Sequence, residues 1–286
     1  MRTCKHTIIS AAIACIGTIS TCFAQPFLDV VNVHYISSPD QSVIKQKKNA
    51  TRLKNLSIQA TIPLQFKNKL DAIIISPSFE MWSTEVNDIH EEFERQYSVA
   101  LPVTYLKTLS NPDWSILSTI IIRRNGYEVG RSDNWQVGGA VIANFKANEN
   151  LRYKLGVYAN REFFGLFVMP LLGIDWEISK KTNLFGILPG SLTLEHKLSQ
   201  NLYTGASFRA ITNSYRTPSG YWRINENRLG AFLDYYFSKR IVINFEGGHS
   251  ILRKLSAGDN DKSEVNWEAR DNLYFKLGAA FRFRFR

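Results

Sequence analysis

Apolar side chains recur at every second position over most of this chain, a period that puts one set of side chains on each face of an extended strand. The pattern is strictest at the C-terminus. Between residues 273 and 285 the odd positions are Leu273, Phe275, Leu277, Ala279, Phe281, Phe283 and Phe285, and the even ones are Tyr274, Lys276, Gly278, Ala280, Arg282 and Arg284. Residues 56–66 and 151–159 alternate in the same way. Looser alternation covers 27–36, 70–81, 96–109, 114–123, 135–145, 166–178, 184–188, 192–198, 202–213, 229–237 and 241–251. This predicts about fourteen strands, most near the ~10 residues of a tilted strand that crosses a membrane.

The connections alternate too. Every second one is short and polar: 67–69, 110–113, 146–150, 179–182, 199–201 and 238–240. The others are mostly long, at 37–51, 83–94, 125–133, 214–225 and 253–266, with 161–164 and 188–190 as the short exceptions. Short turns at one rim and long loops at the other predict an all-β fold, a transmembrane antiparallel up-and-down β-barrel with an even strand number and both termini on the short-turn side. The number is about fourteen, or twelve if the 184–198 hairpin folds otherwise. Trp114, Trp135 and Trp176 fall near strand ends on the face assigned as outward, where interfacial aromatics belong. Pro63, Pro77, Pro102 and Pro170 lie inside proposed strands, where each removes a ladder donor, so bulges or strand breaks are expected there.

Composition adds compartment. Residues 1–24 read as a secretory signal: Arg2 and Lys5 begin it, an apolar run spans 8–19, and Cys22-Phe23-Ala24 offers a small-x-small cleavage site before Gln25. All three cysteines, Cys4, Cys15 and Cys22, lie inside it, so disulfide and thiolate chemistry are excluded from the expected mature domain, residues 25–286. Losing Arg2 and Lys5 lowers the formal charge from +10 to +8. The chain is 44% hydrophobic and 13% aromatic, yet beyond the signal its longest apolar run, 165–174, is half the ~20 residues of a membrane helix and contains Pro170. Export and strand patterning together leave a secreted all-β protein or an outer-membrane barrel.

Several stretches carry a likeness to a known group. They are the hairpin Leu188-Pro189-Gly190-Ser191, the run Ser207-Phe208-Arg209-Ala210-Ile211-Thr212-Asn213-Ser214-Tyr215-Arg216, and the ending Tyr274-Phe275-Lys276-Leu277-Gly278-Ala279-Ala280-Phe281-Arg282-Phe283. With the signal and the succession of hairpins, they resemble an uncharacterised family of Gram-negative outer-membrane β-barrels classed as a domain of unknown function. The resemblance covers the whole mature chain and implies location in the outer membrane, among its lipids and lipopolysaccharide, with no catalytic residues to carry over. The last strand also resembles the strand recognised by barrel assembly machinery, which usually closes on an aromatic residue. Here Phe285 is penultimate and Arg286 ends the chain.

The alternation assigns Glu195, Arg209, Asp234, Glu246, Lys276 and Arg282 to the lumen on five successive strands, in the half nearer the termini. Such a lining either selects a polar or anionic solute, as charged rings do in channels, or forms an ion-pair network that fills a closed barrel. The first long loop is basic (Lys45, Lys47, Lys48, Arg52, Lys54) and suits phosphate headgroups; the second is acidic (Glu85, Asp88, Glu91, Glu92, Glu94) and suits a divalent cation. Val86, Ile89 and Phe93 have helical spacing within that second loop.

Charges that alternate along strands do not make the basic stripe of a nucleic-acid binder. His249 and Ser250 are adjacent in one strand, hence on opposite faces, His196 falls on the outward face, and no Gly-x-Ser-x-Gly elbow occurs. Gly138-Gly139 and Gly247-Gly248 are expected to mark bulges or room for a bulky lumen neighbour. The reading that results is a non-enzymatic outer-membrane barrel without cofactor, for passage or binding of a small polar solute or for a structural role. Its lumen would be gated or plugged by the 83–94 and 214–225 segments. A barrel-type lipid-modifying enzyme and a soluble periplasmic ligand-binding barrel are the alternatives.

Overall fold

The computed structural model describes residues 25–285 except 40–50, 69, 87–93, 129, 131, 260–263 and 269–270. The proposed signal, most of the first two long loops and the expected helix around Ile89 therefore lie outside the described residues. The chain forms fourteen antiparallel strands. They are β1 (Phe27–Ser37), β2 (Thr51–Ala60 and Ile62–Gln65), β3 (Ala72–Ile75 and Ser78–Val86), β4 (Arg95–Thr108), β5 (Trp114–Gly126), β6 (Trp135–Asn148) and β7 (Leu151–Glu162). The second half is β8 (Gly165–Ser179), β9 (Thr182–Leu188), β10 (Ser191–Lys197), β11 (Leu202–Arg216), β12 (Gly220–Tyr236), β13 (Ile241–Asp259) and β14 (Glu264–Glu268 and Asn272–Arg284). Each pairs with its chain neighbours, and β1 pairs with β14 from Phe27↔Arg284 to Ser37↔Phe275, which closes the barrel.

The six short turns share one local cause. Each has an Asn or Ser whose side-chain oxygen accepts a backbone N–H two or three residues on, which folds the chain back without help from elsewhere. Asn68 takes the N–H groups of Leu70 and Asp71, Asn111 that of Asp113, and Asn148 that of Asn150. Ser179, Ser199 and Ser238 take those of Lys181, Asn201 and Arg240. At the first of these turns Asp71 also accepts from the Lys107 ammonium (2.7 Å) and the Thr108 N–H (3.0 Å), and these two contacts hold its carboxyl below the ordinary carboxylate range. On the opposite rim the two-residue β7–β8 turn is closed by Gly165, whose φ of +126° a side chain would resist.

Alternation sorts the faces as expected. Val31, Leu64, Leu101, Ile120, Val141, Leu155, Val168, Leu229 and Phe245 are all exposed on the outer surface. Trp114, Trp135 and Trp176 lie on that face, with Trp114 stacked on Phe145 at 4.8 Å. The inner face instead buries Asn55, Ser98, Asn125, Gln136, Asp175, Glu195, Asp234 and Arg282. So large an apolar surface turned outward around a polar interior is the inverse of a water-soluble barrel.

The prolines behave unevenly. Pro77 breaks β3, but the break in β2 falls at Thr61, and Pro63, Pro102 and Pro170 sit within continuous strands. Pro102 faces the β3 gap and accepts the Ser76 N–H at 2.9 Å. Pro170 lies where β8 has a partner only in β7. The glycine pairs hold no bulge. Gly248 and its cross-strand partner Gly230 make room in the lumen, Gly230 for the Tyr274 phenol and Gly248 for the β12 backbone at Leu229.

Residues 214–225, expected as a loop, are instead the paired tip of the β11–β12 hairpin, from Ser214↔Arg223 to Arg216↔Tyr221. Residues 253–266 are likewise largely strand, since β13 runs to Asp259 and pairs with 264–268. The apolar alternation stops short of both segments, but the strands continue through them.

Candidate functional site

The half of the lumen nearer the termini is filled by ion pairs between wall strands. Arg282 bridges Asp29 (Nε–Oδ1 2.5 Å) and Asp234 (Nη1–Oδ2 2.5 Å) and stacks on Phe27 at 3.6 Å. Arg284 donates to both oxygens of Glu195, at 3.0 and 2.7 Å, and to the Tyr236 hydroxyl at 3.0 Å. Lys276 pairs with Glu246 at 2.8 Å, and Glu246 also accepts from the Tyr274 and Ser207 hydroxyls at 2.6 and 3.0 Å. All six residues chosen from the alternation face this lumen, and five of them are brought together in these pairs. Arg209 is the exception: it is exposed to the lumen and makes no hydrogen bond or ion pair among the described residues. Asp29 and Arg284, both essential to the network, were missed, although Arg284 is in phase with Arg282.

The far half is filled by the hairpin tip. β9 and β10 have seven residues each, so their turn stops partway up the wall, and between Ala210 and Arg216 β11 has no backbone partner strand on that side among the described residues. The tip turns inward and crosses the lumen, where the Tyr127 N–H donates to the Arg216 carbonyl at 3.1 Å. One face of the tip, with Tyr215, Trp222 and Ile224, packs on Leu53 of β2, Trp82 of β3 and Leu255, the partner of Ile224 on β13, and all six are buried. The other face is held by polar bonds. Ser214 donates its hydroxyl (2.6 Å) and its N–H (3.2 Å) to Glu162, while its carbonyl accepts from Asn125 (3.1 Å). Glu162 also accepts from Gln136 (3.0 Å) and Asn160 (2.6 Å) and pairs with Arg123. The β7–β8 turn covers the tip, with Phe163 under Arg216 (4.4 Å) and Phe164 under Arg223 (4.0 Å). Glu162 and Ser214 had been assigned to connections, and only the continuing even phase, Asn160 to Glu162, pointed to the lumen.

Two cavities remain between these fillings. The one nearer the termini, about 260 Å³, is lined by Asp29, Asp234, Glu246, Lys276 and Arg282 among others. The other, about 420 Å³, is lined by Trp82, Phe167, Met169, Leu171 and Ile211 with Asn55, Ser57 and Glu80. They share His34, Ser191, Arg209 and Arg228, which form a neck between them. His34 Nδ1–H donates to the Asn32 amide oxygen at 3.0 Å, and Arg228 pairs with Glu226 at 2.6 Å. His196 is outward and bonded to Thr182 (2.9 Å), and His249 is outward while Ser250 is buried against Glu226. Among the described residues no group of three His, Asp or Glu side chains is placed to hold a metal ion.

The sequence profile of a domain of unknown function, DUF6268, matches residues 20–286. No curated protein matches the chain. In fold it is similar to an outer-membrane channel from Pseudomonas putida F1, at 9% identity and TM-score 0.46, over 88% of this chain and 94% of that one. It is also similar to a Pseudomonas aeruginosa FadL homologue (10%, TM-score 0.45, 90% of each chain) and to the NanC porin (11%, TM-score 0.39, 88% and 98%).

Proposed function

This chain belongs to the DUF6268 family, and we propose that it is an integral outer-membrane barrel that admits a small solute to its lumen and passes it without chemical change. The observation that carries this reading is the inversion of the fold: an apolar belt outside, and inside two joined cavities of about 260 and 420 Å³, the first lined mainly by polar and charged groups and the second by polar and apolar ones together. The belt suits lipid, the polar half-loops suit the two aqueous faces, and the short turns with both termini lie on the periplasmic side. Five of the six lumen charges chosen from sequence neutralise one another or their neighbours, which favours a structural lining there and leaves selection to Arg209 at the neck.

Single-channel recording of the purified, refolded protein in planar bilayers tests the reading, with carbonate washing and heat-modifiable gel mobility as the check on insertion. Wild type is expected to give small openings, because the hairpin tip fills the far half, and Trp222→Ala to enlarge them. Release of the protein by carbonate, or silent bilayers with both proteins, overturns it.

A further inference from the structure

Above the β9–β10 turn the wall is not continuous. Residues 165–171 of β8 and 211–215 of β11 have no backbone pairing between them among the described residues, and Phe167, Met169 and Leu171 of the one and Ile211, Thr212 and Asn213 of the other line one cavity. The stretch of β8 is about 20 Å long at strand rise. Pro189 and Gly190 form the sill, and the lintel is the β7–β8 turn, whose Phe163 N–H donates to the Ser214 hydroxyl at 2.9 Å. Outside, Leu166 and Val168 flank the gap and are strongly exposed, 76% and 56%. Inside it, Phe167, Met169, Leu171 and Ile211 lead to the neck and to Arg209.

Arg209 stands directly across the strand pair from Arg228. Like charges in that relation repel. Arg228 has Glu226 as its counter-ion at 2.6 Å and Trp82 under its guanidinium at 5.4 Å, whereas Arg209 has no ion pair among the described residues. Glu80, the one carboxylate among the described residues that line this cavity, is on β3 and takes the Trp82 indole N–H at 3.4 Å. A solute that reaches a gap in the wall from hydrocarbon must carry apolar surface, and one that settles among His34, Ser191, Arg209 and Arg228 must carry a polar, charge-compensating head.

The geometry points to the gap between β8 and β11 as a lateral entrance for an amphipathic anion, its apolar chain against Phe167, Met169, Leu171 and Ile211 and its head on Arg209. The inference rests on the reading of the chain as a membrane barrel and names the solute class and the route.

Photo-crosslinking in phospholipid vesicles tests it, with a diazirine-bearing dodecyl sulfonate, whose head stays charged at every working pH. Label is expected in peptides carrying residues 165–171 and 210–213, competed by decanesulfonate and not by decanol. Arg209→Gln lowers it about tenfold, the effect of one lost charged hydrogen bond, and Arg209→Lys retains most of it. Label spread evenly over the outer belt, or unchanged in Arg209→Gln, overturns the entrance. If Arg209→Gln does not insert, Thr212→Trp fills the gap with Arg209 intact and must remove the label; persistence there overturns the entrance equally. A protein released by carbonate defeats the barrel reading itself, whereas an inserted, conducting barrel without local label defeats only the lateral entrance.

Discussion

The two halves of this barrel are built from the same alternating strands and are filled in different ways. Near the termini fourteen strands stand in the wall, and the lumen is closed by charges that reach across it, with Arg282 between Asp29 and Asp234 and Arg284 on Glu195. In the far half β9 and β10 are missing from the wall, because seven residues at ~3.3 Å each span only part of it. β11 then loses a neighbour, and an unpaired strand edge in hydrocarbon costs several kcal/mol for each polar group. Turning inward gives that edge new partners, Asn125 for the Ser214 carbonyl and Glu162 for its N–H. The difference teaches that a plug can follow from one short hairpin in the wall, with no separate domain to supply it.

The comparison breaks first at its charges. Arg282→Ala leaves the buried Asp234 and the half-buried Asp29 without a counter-ion, and Glu162→Ala does the same to the half-buried Arg123, so each is expected to lower stability by about 3 kcal/mol. Urea midpoints of the folded, fast-migrating gel band measure this. Of these two, Glu162→Ala should also raise conductance, since it frees the tip and Arg282→Ala does not; an equal rise in Arg282→Ala would show that the two halves are not independent. Trp222→Ala removes the largest side chain of the tip's apolar face and is expected to cost about 3 kcal/mol, again with a rise in conductance.

Smaller effects sharpen the terminal half. Gly248→Ala puts a Cβ against the Leu229 carbonyl and Gly230 Cα, with a loss of about 1–3 kcal/mol in the same urea titration and no change in conductance. Asp71→Asn is expected to have the smallest effect. The Asp71 carboxyl is held below its ordinary value of 3.8 by Lys107 and Thr108. Its contribution is therefore present above that value and lost as pH falls through the lowered one. The stability difference between wild type and Asp71→Asn should be steady from neutral pH down to about pH 4 and vanish in stronger acid; a difference that persists there would mean that the carboxylate charge is not its source.

Much of the fold was legible along the chain because β-structure has a local period. Fourteen strands, their inner and outer faces, the three outward tryptophans and the polar turns all follow from alternation and from Asn or Ser at the turn. Legibility failed where the apolar alternation stopped but the strand went on. Ser214 meets Glu162, Gln136 and Asn125, and Arg223 bonds Asn225 and lies on Phe164, so a polar hairpin inside the lumen looks in sequence like one in water. The site was half legible: phase put six charges in the lumen, but it could not say that Arg209 alone would stay without a counter-ion.

Period-two patterning and turn chemistry thus set strand number, facing and connectivity, because each depends on side chains only a few residues apart. Which charge meets which was settled by closure of the barrel, since Arg282 and Asp29 are 253 positions apart and become neighbours only when β1 pairs with β14. The inward tip, the neck and the gap in the wall depend on the height of the 188–191 turn relative to the strands around it. That height is a relation between strands, and no stretch of the sequence carries it alone.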